Sequence, residues 1–529
     1  MSQMTLDGLA PDRSPAQAPK LVLGPLPALE RALAEEIAAR KASDPLAPIA
    51  LLIGGTLLRP YLQRRLALLL GGHVNLHFLT PAELAVRLGE PAMIAAGRRP
   101  LPPLATRVLV GEVAREARGY FAPVAHTPGF ADSLHRLFRE LAQAGLDPTA
   151  FRAAAPAAGN NRRKHADLVD LYERYAERRR SHYGPDDCLA AADPARLGAD
   201  ALLVYGLWDP PAALRTAIEG IVTAGTPLTA FLPVAGSATS DGGHEGMRRW
   251  LAGLGAETVT AAGRPARPTA LTHLQERLFL DGGESAYTTE EDCSLRLLSA
   301  ADPAREVRAA ARACIEWAAE GIPFHDMAIA YRQAEQYRPL MESTFREAGI
   351  PVYLDEGTPI SERPLGRRAL ALLDLVGSGL ERRAVMDFLT DADLPEATRR
   401  RYGGIPAPRW DALSRRAGVV RGNEEWRDRL AALRVREEER YTQGEDPPPE
   451  WLPDRLATIE RLERFTADLA RALGAAPRSA PFSAHLDYLR GLFGVYLHGA
   501  EPILDALSPL AALDALARPI DFARFREIV

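Results

Sequence analysis

The chain holds three lysines, Lys20, Lys41 and Lys164, beside a very large excess of arginine. Lysine is the residue that reaches the β- and γ-phosphates of a nucleotide from a Gly-Lys-Ser/Thr loop whose backbone N–H groups cradle the anion. None of the three follows a glycine, and none precedes Ser or Thr. The same lysines exclude a magnesium nuclease centre of the PD-(D/E)xK type, which needs paired acids, the second of them two residues before its lysine. Those positions are Ala18, Ala39 and Arg162. No Ser-x-x-Lys, His-Glu-x-x-His or Gly-x-Ser-x-Gly motif is present, and the 11 histidines show no ligand spacing; His73 and His77 flank a strand as surface residues. Residue types alone therefore supply no catalytic residue and no metal site.

Arginine offers a different chemistry, the binding of phosphate. Arg162-Arg163-Lys164, Arg178-Arg179-Arg180 and Arg399-Arg400-Arg401 form basic clusters, and Tyr175, Tyr183 and Tyr402 offer rings of the kind that stack on bases of a single strand. The competing reading of each cluster is a solvated helix face. Trp208 is read as a stacking aromatic or, against that, as a residue at the rim of the core.

Composition sets the frame. With 529 residues, 47% hydrophobic content and 25% charge, the chain reads as a soluble globular protein of two to four domains. A net charge of −5 argues against a basic coat over the whole surface. Cys188, Cys293 and Cys314 are scattered, which supports neither a disulfide framework nor a zinc knuckle and points to a reducing, cytoplasmic setting. No apolar run approaches the roughly 18 residues of a membrane span, so no membrane partner is expected.

The elements that position these residues alternate. Lys20–Gly24 reads as a strand followed by a helix over 28–40, then Ile49–Ile53, Gly54-Gly55-Thr56 and a second helix to Leu70. His73–Leu79 alternates polar and apolar residues as a half-buried strand does, and Thr80-Pro81-Ala82-Glu83 is a capping box with proline at the first helical position. Strand and helix in this alternation imply a parallel sheet covered by helices. The pattern is helical from about Leu101 to Ala192, with Leu134, Leu137, Phe138 and Leu141 on one stripe and Leu168, Leu171, Tyr172 and Tyr175 on another. Strands return at Ala201–Tyr205 and Leu228–Leu232. Leu295–Leu298 then reads as a strand, Asp302 as the cap of a helix with Val307, Ala311, Cys314 and Ala318 on its apolar stripe and Gly321 at its end, and Met327–Tyr331 as a buried strand closed by Arg332. A helix to Ala348, Gly349–Tyr353, and Ser361-Glu362-Arg363-Pro364-Leu365 leading into a third helix complete the unit.

The order of residues 295–370 closely resembles the start of the second motor domain of superfamily 1, UvrD-like helicases, and most of all the AddB component of AddAB-type helicase–nucleases. Pro128-Gly129-Phe130 through Gly145, Lys164 through Tyr175 with Asp187, and Trp410 through Trp426 with Gly418 and Gly422 carry the same resemblance. It implies an α/β fold of RecA-like, P-loop NTPase-type lobes with large helical inserts. The expected division is a disordered tail over 1–20, a first lobe over 21–100 and 196–290, and a helical insert over 101–195. A second lobe starts over 291–376, and a second insert, incomplete at its C-terminal end, spans 377–529.

The resemblance also places the sites. The phosphate loop falls on Leu23-Gly24-Pro25-Leu26-Pro27-Ala28, where Gly24, Pro25 and Pro27 stand in a degenerate cradle: two prolines remove N–H donors and no lysine follows. The magnesium-holding acids would follow Leu202-Leu203-Val204, where Tyr205 and Gly206 stand, with Asp209 beyond the turn. Thr56, Arg59, Arg64, Thr80 and Arg332 fall where the family contacts single-stranded DNA. For Thr80 the plain alternative is a helix cap, and for the arginines a solvated face or a salt bridge. The implied function is an inactivated helicase-like scaffold that guides single-stranded DNA or DNA ends beside an active, AddA-like helicase subunit in recombinational repair. No cofactor is expected in this chain; a magnesium-dependent PD-(D/E)xK domain is expected beyond Val529. The rivals are an active DNA-dependent ATPase with an unusual phosphate loop and a non-DNA-binding interaction protein on the same fold.

Overall fold

A computed structural model describes residues 18–154, 161–234, 238–261, 269–278, 292–354, 359–442 and 450–529. Nearly all of the expected N-terminal tail, the loop over 281–286 and the acidic, proline-rich linker over 444–449 lie outside the described residues. The chain divides into two compact units. The first comprises residues up to Arg98, Glu140–Asp147 and Tyr183–Gly357; the second comprises Arg99–Arg139, Pro148–His182 and Thr358–Val529.

The first unit is built on six parallel strands. In chain order its main elements are β1 (Lys20–Gly24), α1 (Leu26–Arg40), β2 (Ile49–Ile53), α2 (Leu58–Leu70), β3 (Leu76–Leu79), α3 (Pro81–Ala95) and α4 (Pro185–Ala190). They continue with β4 (Ala201–Tyr205), α5 (Ala212–Thr223), β5 (Leu228–Pro233), α6 (Glu245–Gly253) and β6 (Glu257–Thr260). The strand order is β3-β2-β4-β5-β1-β6. Every residue of β2 and β4 is buried, as expected of strands that bury both faces. Alternation divides them: Val22, Leu51, Leu203, Tyr205 and Phe231 pack with Leu29 and Leu33 of α1 and Leu62 and Leu66 of α2. Leu21, Leu23, Leu52, Leu202 and Val204 pack on the opposite face with Leu84 of α3, Ile218 of α5 and Leu251 of α6. Helices thus cover both faces, and β5 separates β1 from β4. This is the RecA-type arrangement expected from the sequence, with the second unit supplying helical inserts.

Boundaries moved where local chemistry allowed. Helix α1 begins at Leu26 rather than Ala28, because Pro25 is extended (φ −66°, ψ 150°) and the first turn tolerates Pro27, whose missing N–H would have no partner there. Strand β3 is shorter than His73–Leu79 and begins at Leu76, after Asn75 at φ 54°.

Within 291–376, where a second lobe is expected to start, the helices form and two of the expected strands do not. Its two helices form as read: α7 (Pro303–Ala319), capped by Asp302, whose side chain accepts from the Arg305 N–H at 2.8 Å, and α8 (Ala334–Glu347). Val307, Ala311 and Cys314 of α7 bury against Met341 and Phe345 of α8 and against Ile350. Leu295–Leu298 and Met327–Tyr331, however, are not strands. A parallel strand exists only when neighbours accept and donate its backbone hydrogen bonds, and among the described residues neither segment has one. Leu297 is 94% exposed, and Leu298, Ile329 and Val352 are also exposed.

The second unit is mainly helical, and its segment from Leu365 on shares a large aromatic-rich core. Tyr402, Trp410, Trp426, Phe465, Phe482, Phe493 and Tyr496 are almost fully buried, and the Phe465 ring meets those of Tyr402 and Trp410 at 5.2 Å and Tyr496 at 6.0 Å.

Candidate nucleic-acid interface

In open parallel sheets, ligands bind beyond the carboxyl ends of the strands, at points where successive connections leave for opposite faces. The connection after β1 enters α1 on one face, whereas that after β5 leads to α6 on the other. A nucleotide would sit at this corner. Here β1 and α1 are separated by one residue, Pro25, whose carbonyl accepts from the Ala28 and Leu29 N–H groups at 2.9 and 3.0 Å. A cradle wraps several backbone N–H groups around a phosphate, and here only Pro25, which has no N–H, stands between strand and helix. Gly24 is closed in as well: a Cβ there would stand 3.0 Å from the Ala261 Cβ. At the end of β4, Tyr205 is buried, and burial drives its phenol well above the usual range. Asp209 is exposed and paired with Arg215 at 2.6 Å.

A second pair of switch points lies at β3, β2 and β4, whose following helices alternate between the faces. Thr56 lies three residues beyond the end of β2, exposed, with no partner for its hydroxyl among the described residues. Its carbonyl accepts from the Arg59 N–H at 3.2 Å, so the turn into α2 is closed by backbone alone. Thr80 ends the connection from β3 and caps α3 as its local sequence predicts: its hydroxyl accepts from the Glu83 N–H at 3.3 Å, and the Glu83 carboxylate accepts from the Thr80 N–H at 2.7 Å. The Arg59 guanidinium also donates to that carboxylate. The Arg59 hydrogen bond, followed by the backbone N–H of Thr80, holds Glu83 below the ordinary carboxylate range. Thr80 and Arg59 are thus brought together by Glu83, a residue the sequence reading saw only as part of a cap. Arg64 is exposed on α2 without an ion pair among the described residues.

Arg332 stands apart from this corner. It is exposed, and it lines a groove of about 610 Å³ with Val307, Ile329, Tyr331, Tyr337 and Met341, among other residues.

The basic clusters prove to be largely paired helix surfaces. Arg178 meets Glu116 at 2.7 Å and Glu112 at 3.5 Å, Arg180 meets Glu177 at 2.6 Å, and Arg401 meets Asp468 at 2.7 Å. Arg399 and Arg400 both reach Glu396, while Arg162, Arg163 and Lys164 remain exposed. Tyr175, Tyr183 and Tyr402 are buried and offer no open ring. Trp208, read against that role as a rim residue, is 41% exposed. Among the described residues no cluster of His, Cys, Asp and Glu fits a metal ion, and no helix is long and apolar enough to cross a membrane.

Strand order, helices on both faces and the short corner at Pro25 together define a helicase-like RecA-type lobe. Its relatives narrow the class. The chain is 30% identical over 226 residues to the B component of the ATP-dependent helicase/deoxyribonuclease of Geobacillus kaustophilus, covering 39% of this chain and 18% of that protein. The same component from Geobacillus thermodenitrificans is 29% identical over 226 residues, again 39% and 18%. That of Moorella thermoacetica is 27% identical over 298 residues, 50% of this chain and 25% of the relative. The chain is AddB-like. The matched region spans about a fifth of the length of the first of these relatives. No family model matches it.

Proposed function

We propose that this chain is a scaffold that guides single-stranded DNA in a helicase–nuclease assembly processing DNA ends for recombinational repair. ATP hydrolysis would come from an AddA-like motor subunit. The observation that supports the reading best is the one-residue connection at Pro25. The strand order of a fold built around nucleotide-driven motion is kept here, but no lysine follows Gly24 and a single proline joins strand to helix. The strand ends beyond β2 and β3 retain hydroxyls and arginines, which suit a phosphodiester backbone.

Two measurements test the two halves. Titration with ATP and magnesium, followed by calorimetry, is expected to show no saturable binding; micromolar binding at the Pro25 corner would restore the active-ATPase reading. The second concerns Glu83, whose carboxylate holds the groups a DNA phosphate would use. Glu83→Gln keeps a side chain able to close the capping box but removes a negative charge. Relieving one like-charge contact near the surface is worth roughly 1 kcal/mol, so single-strand affinity is expected to rise about fivefold while the melting temperature changes little. Unchanged affinity would place the phosphates away from Thr80 and Arg59.

A further inference from the structure

One aromatic at the strand ends is left half-open by the packing around it. Trp208 follows β4 as Thr56 follows β2: the register pairs Ile53 with Tyr205, and each residue lies three positions further on. We propose that Trp208 is a base-stacking residue for single-stranded DNA crossing these loops, with the Thr56 hydroxyl placed for the neighbouring phosphate. The inference rests on the DNA-guiding reading and deepens it by naming the group that meets the bases.

Three observations carry it. The first is place: β2 and β4 are adjacent strands, roughly 4.8 Å apart, and their connections leave for opposite faces, α2 on one and α5 on the other. Such a divergence opens a crevice beyond the strand ends. The second is rigidity. Gly54 and Gly206 touch through their backbones; a Cβ on Gly54 would lie 1.7 Å from the Gly206 carbonyl oxygen, and the Gly54 N–H donates to the Tyr205 carbonyl at 3.2 Å. Gly206 itself adopts φ +69°, with Leu58 filling the space where its side chain would be. On the far side of the loop, Arg215 donates to the Pro210 carbonyl at 2.7 Å and to Asp209 at 2.6 Å. The loops bearing Thr56 and Trp208 are therefore fastened to each other and to the sheet. The third is the ring. Leu207 turns into the core at 9% exposure while the adjacent Trp208 stays 41% open, backed by the His244 ring at 5.0 Å and 31°. Trp317 and Trp451 are also exposed, but Trp317 lies on α7 and Trp451 at the start of the Leu452–Gly474 helix, neither at a strand end of the sheet. A ring held half-open at a switch point, with a hydroxyl that has no partner among the described residues three positions past the end of the adjacent strand, has the placement a stacking platform needs. Base–aromatic stacking tolerates every base, because each has a π-face.

The test uses the full chain, a dT oligonucleotide and one carrying 2-aminopurine. Trp208→Ala is expected to weaken single-strand binding about tenfold, the scale of losing one stacked base, and to reduce the quenching of 2-aminopurine. Trp208→Phe, which keeps a π-face, is expected to stay within about threefold of the parent. Trp208→Leu, apolar but without a π-face, is expected to behave as the alanine variant does, which separates stacking from loss of packing. The dependence on salt should be the same in all three, since stacking releases no counterions. Equal affinity of the alanine and parent chains overturns the platform and leaves DNA guidance standing elsewhere. Absence of single-strand binding by the parent overturns both. A leucine variant that binds as the parent does would show that Trp208 serves packing only, and a protein partner that covers Trp208 while DNA does not would overturn the assignment.

Discussion

Replacing Trp426 by alanine is expected to destabilise the helical unit by about 3–5 kcal/mol, the usual cost of truncating a buried aromatic. The side chain is 1% exposed, and its indole N–H donates to the Leu380 carbonyl at 2.8 Å. Leu380 follows the glycine that ends the Pro364–Ser378 helix and sits at φ 55°, so its carbonyl is turned away from any helical partner. The Gly422 N–H reaches the Gly379 carbonyl at 2.8 Å and the Arg382 N–H reaches the Val420 carbonyl at 2.9 Å in the same joint. Trp426 thus fastens the first turns of the Asn423–Thr442 helix to the turn that follows the Pro364–Ser378 helix, by volume and by a hydrogen bond. Trp426→Phe separates these terms: it retains most of the volume and is expected to cost about 1–2 kcal/mol for the orphaned carbonyl and the small void. Urea unfolding followed by circular dichroism, with hydrogen exchange over Asn423–Thr442, reads both variants. An alanine variant within about 1 kcal/mol of the parent would show that this joint repacks without the indole.

What was legible in the sequence was what is decided within a few residues. The capping box at Thr80, the proline at position 81 and the Asp302 cap all formed as read, because their donors and acceptors are three residues apart. The continuous apolar runs of β2 and β4 were readable as strands of a doubly covered sheet because each has neighbours on both sides. Leu295–Leu298 and Met327–Tyr331 carry equally good local preference and still do not form strands, since pairing depends on distant chain that composition cannot show. The bridge from Arg59 to Glu83 joins residues on α2 and α3, and only the adjacency of β2 and β3 brings them together. Gly54 shows the same limit. Its place in Gly54-Gly55-Thr56 was visible, but its reason, the carbonyl of Gly206 at its α-carbon, was not. Tyr175 and Tyr402 misled in the opposite direction, because an apolar-stripe position and a stacking position look alike until burial is known.

Replacing Arg59, Arg64 and Arg332 together by alanine is expected to lower single-strand affinity about tenfold to a hundredfold, uniformly across sequences. The three belong to the same compact unit, and the chain as a whole carries a net charge of −5, so any attraction to DNA must be local. Arg64 and Arg332 are exposed and make no ion pair among the described residues, so a phosphate needs to displace nothing to reach them. Arg59 differs: it already holds Glu83, and its removal leaves that carboxylate facing an incoming phosphate. The loss therefore combines missing attraction with new repulsion, and Glu83→Gln added to the triple variant should recover the second part but not the first. Each neutralised phosphate contributes about 0.7 to the slope of log affinity against log salt for a single strand. Loss of up to three contacts is expected to flatten that slope by about 2. Fluorescence anisotropy with an oligonucleotide over a series of salt concentrations reads slope and affinity together. A triple variant with both unchanged would remove these three arginines from the path of the DNA, and with them the charge basis for a guiding role.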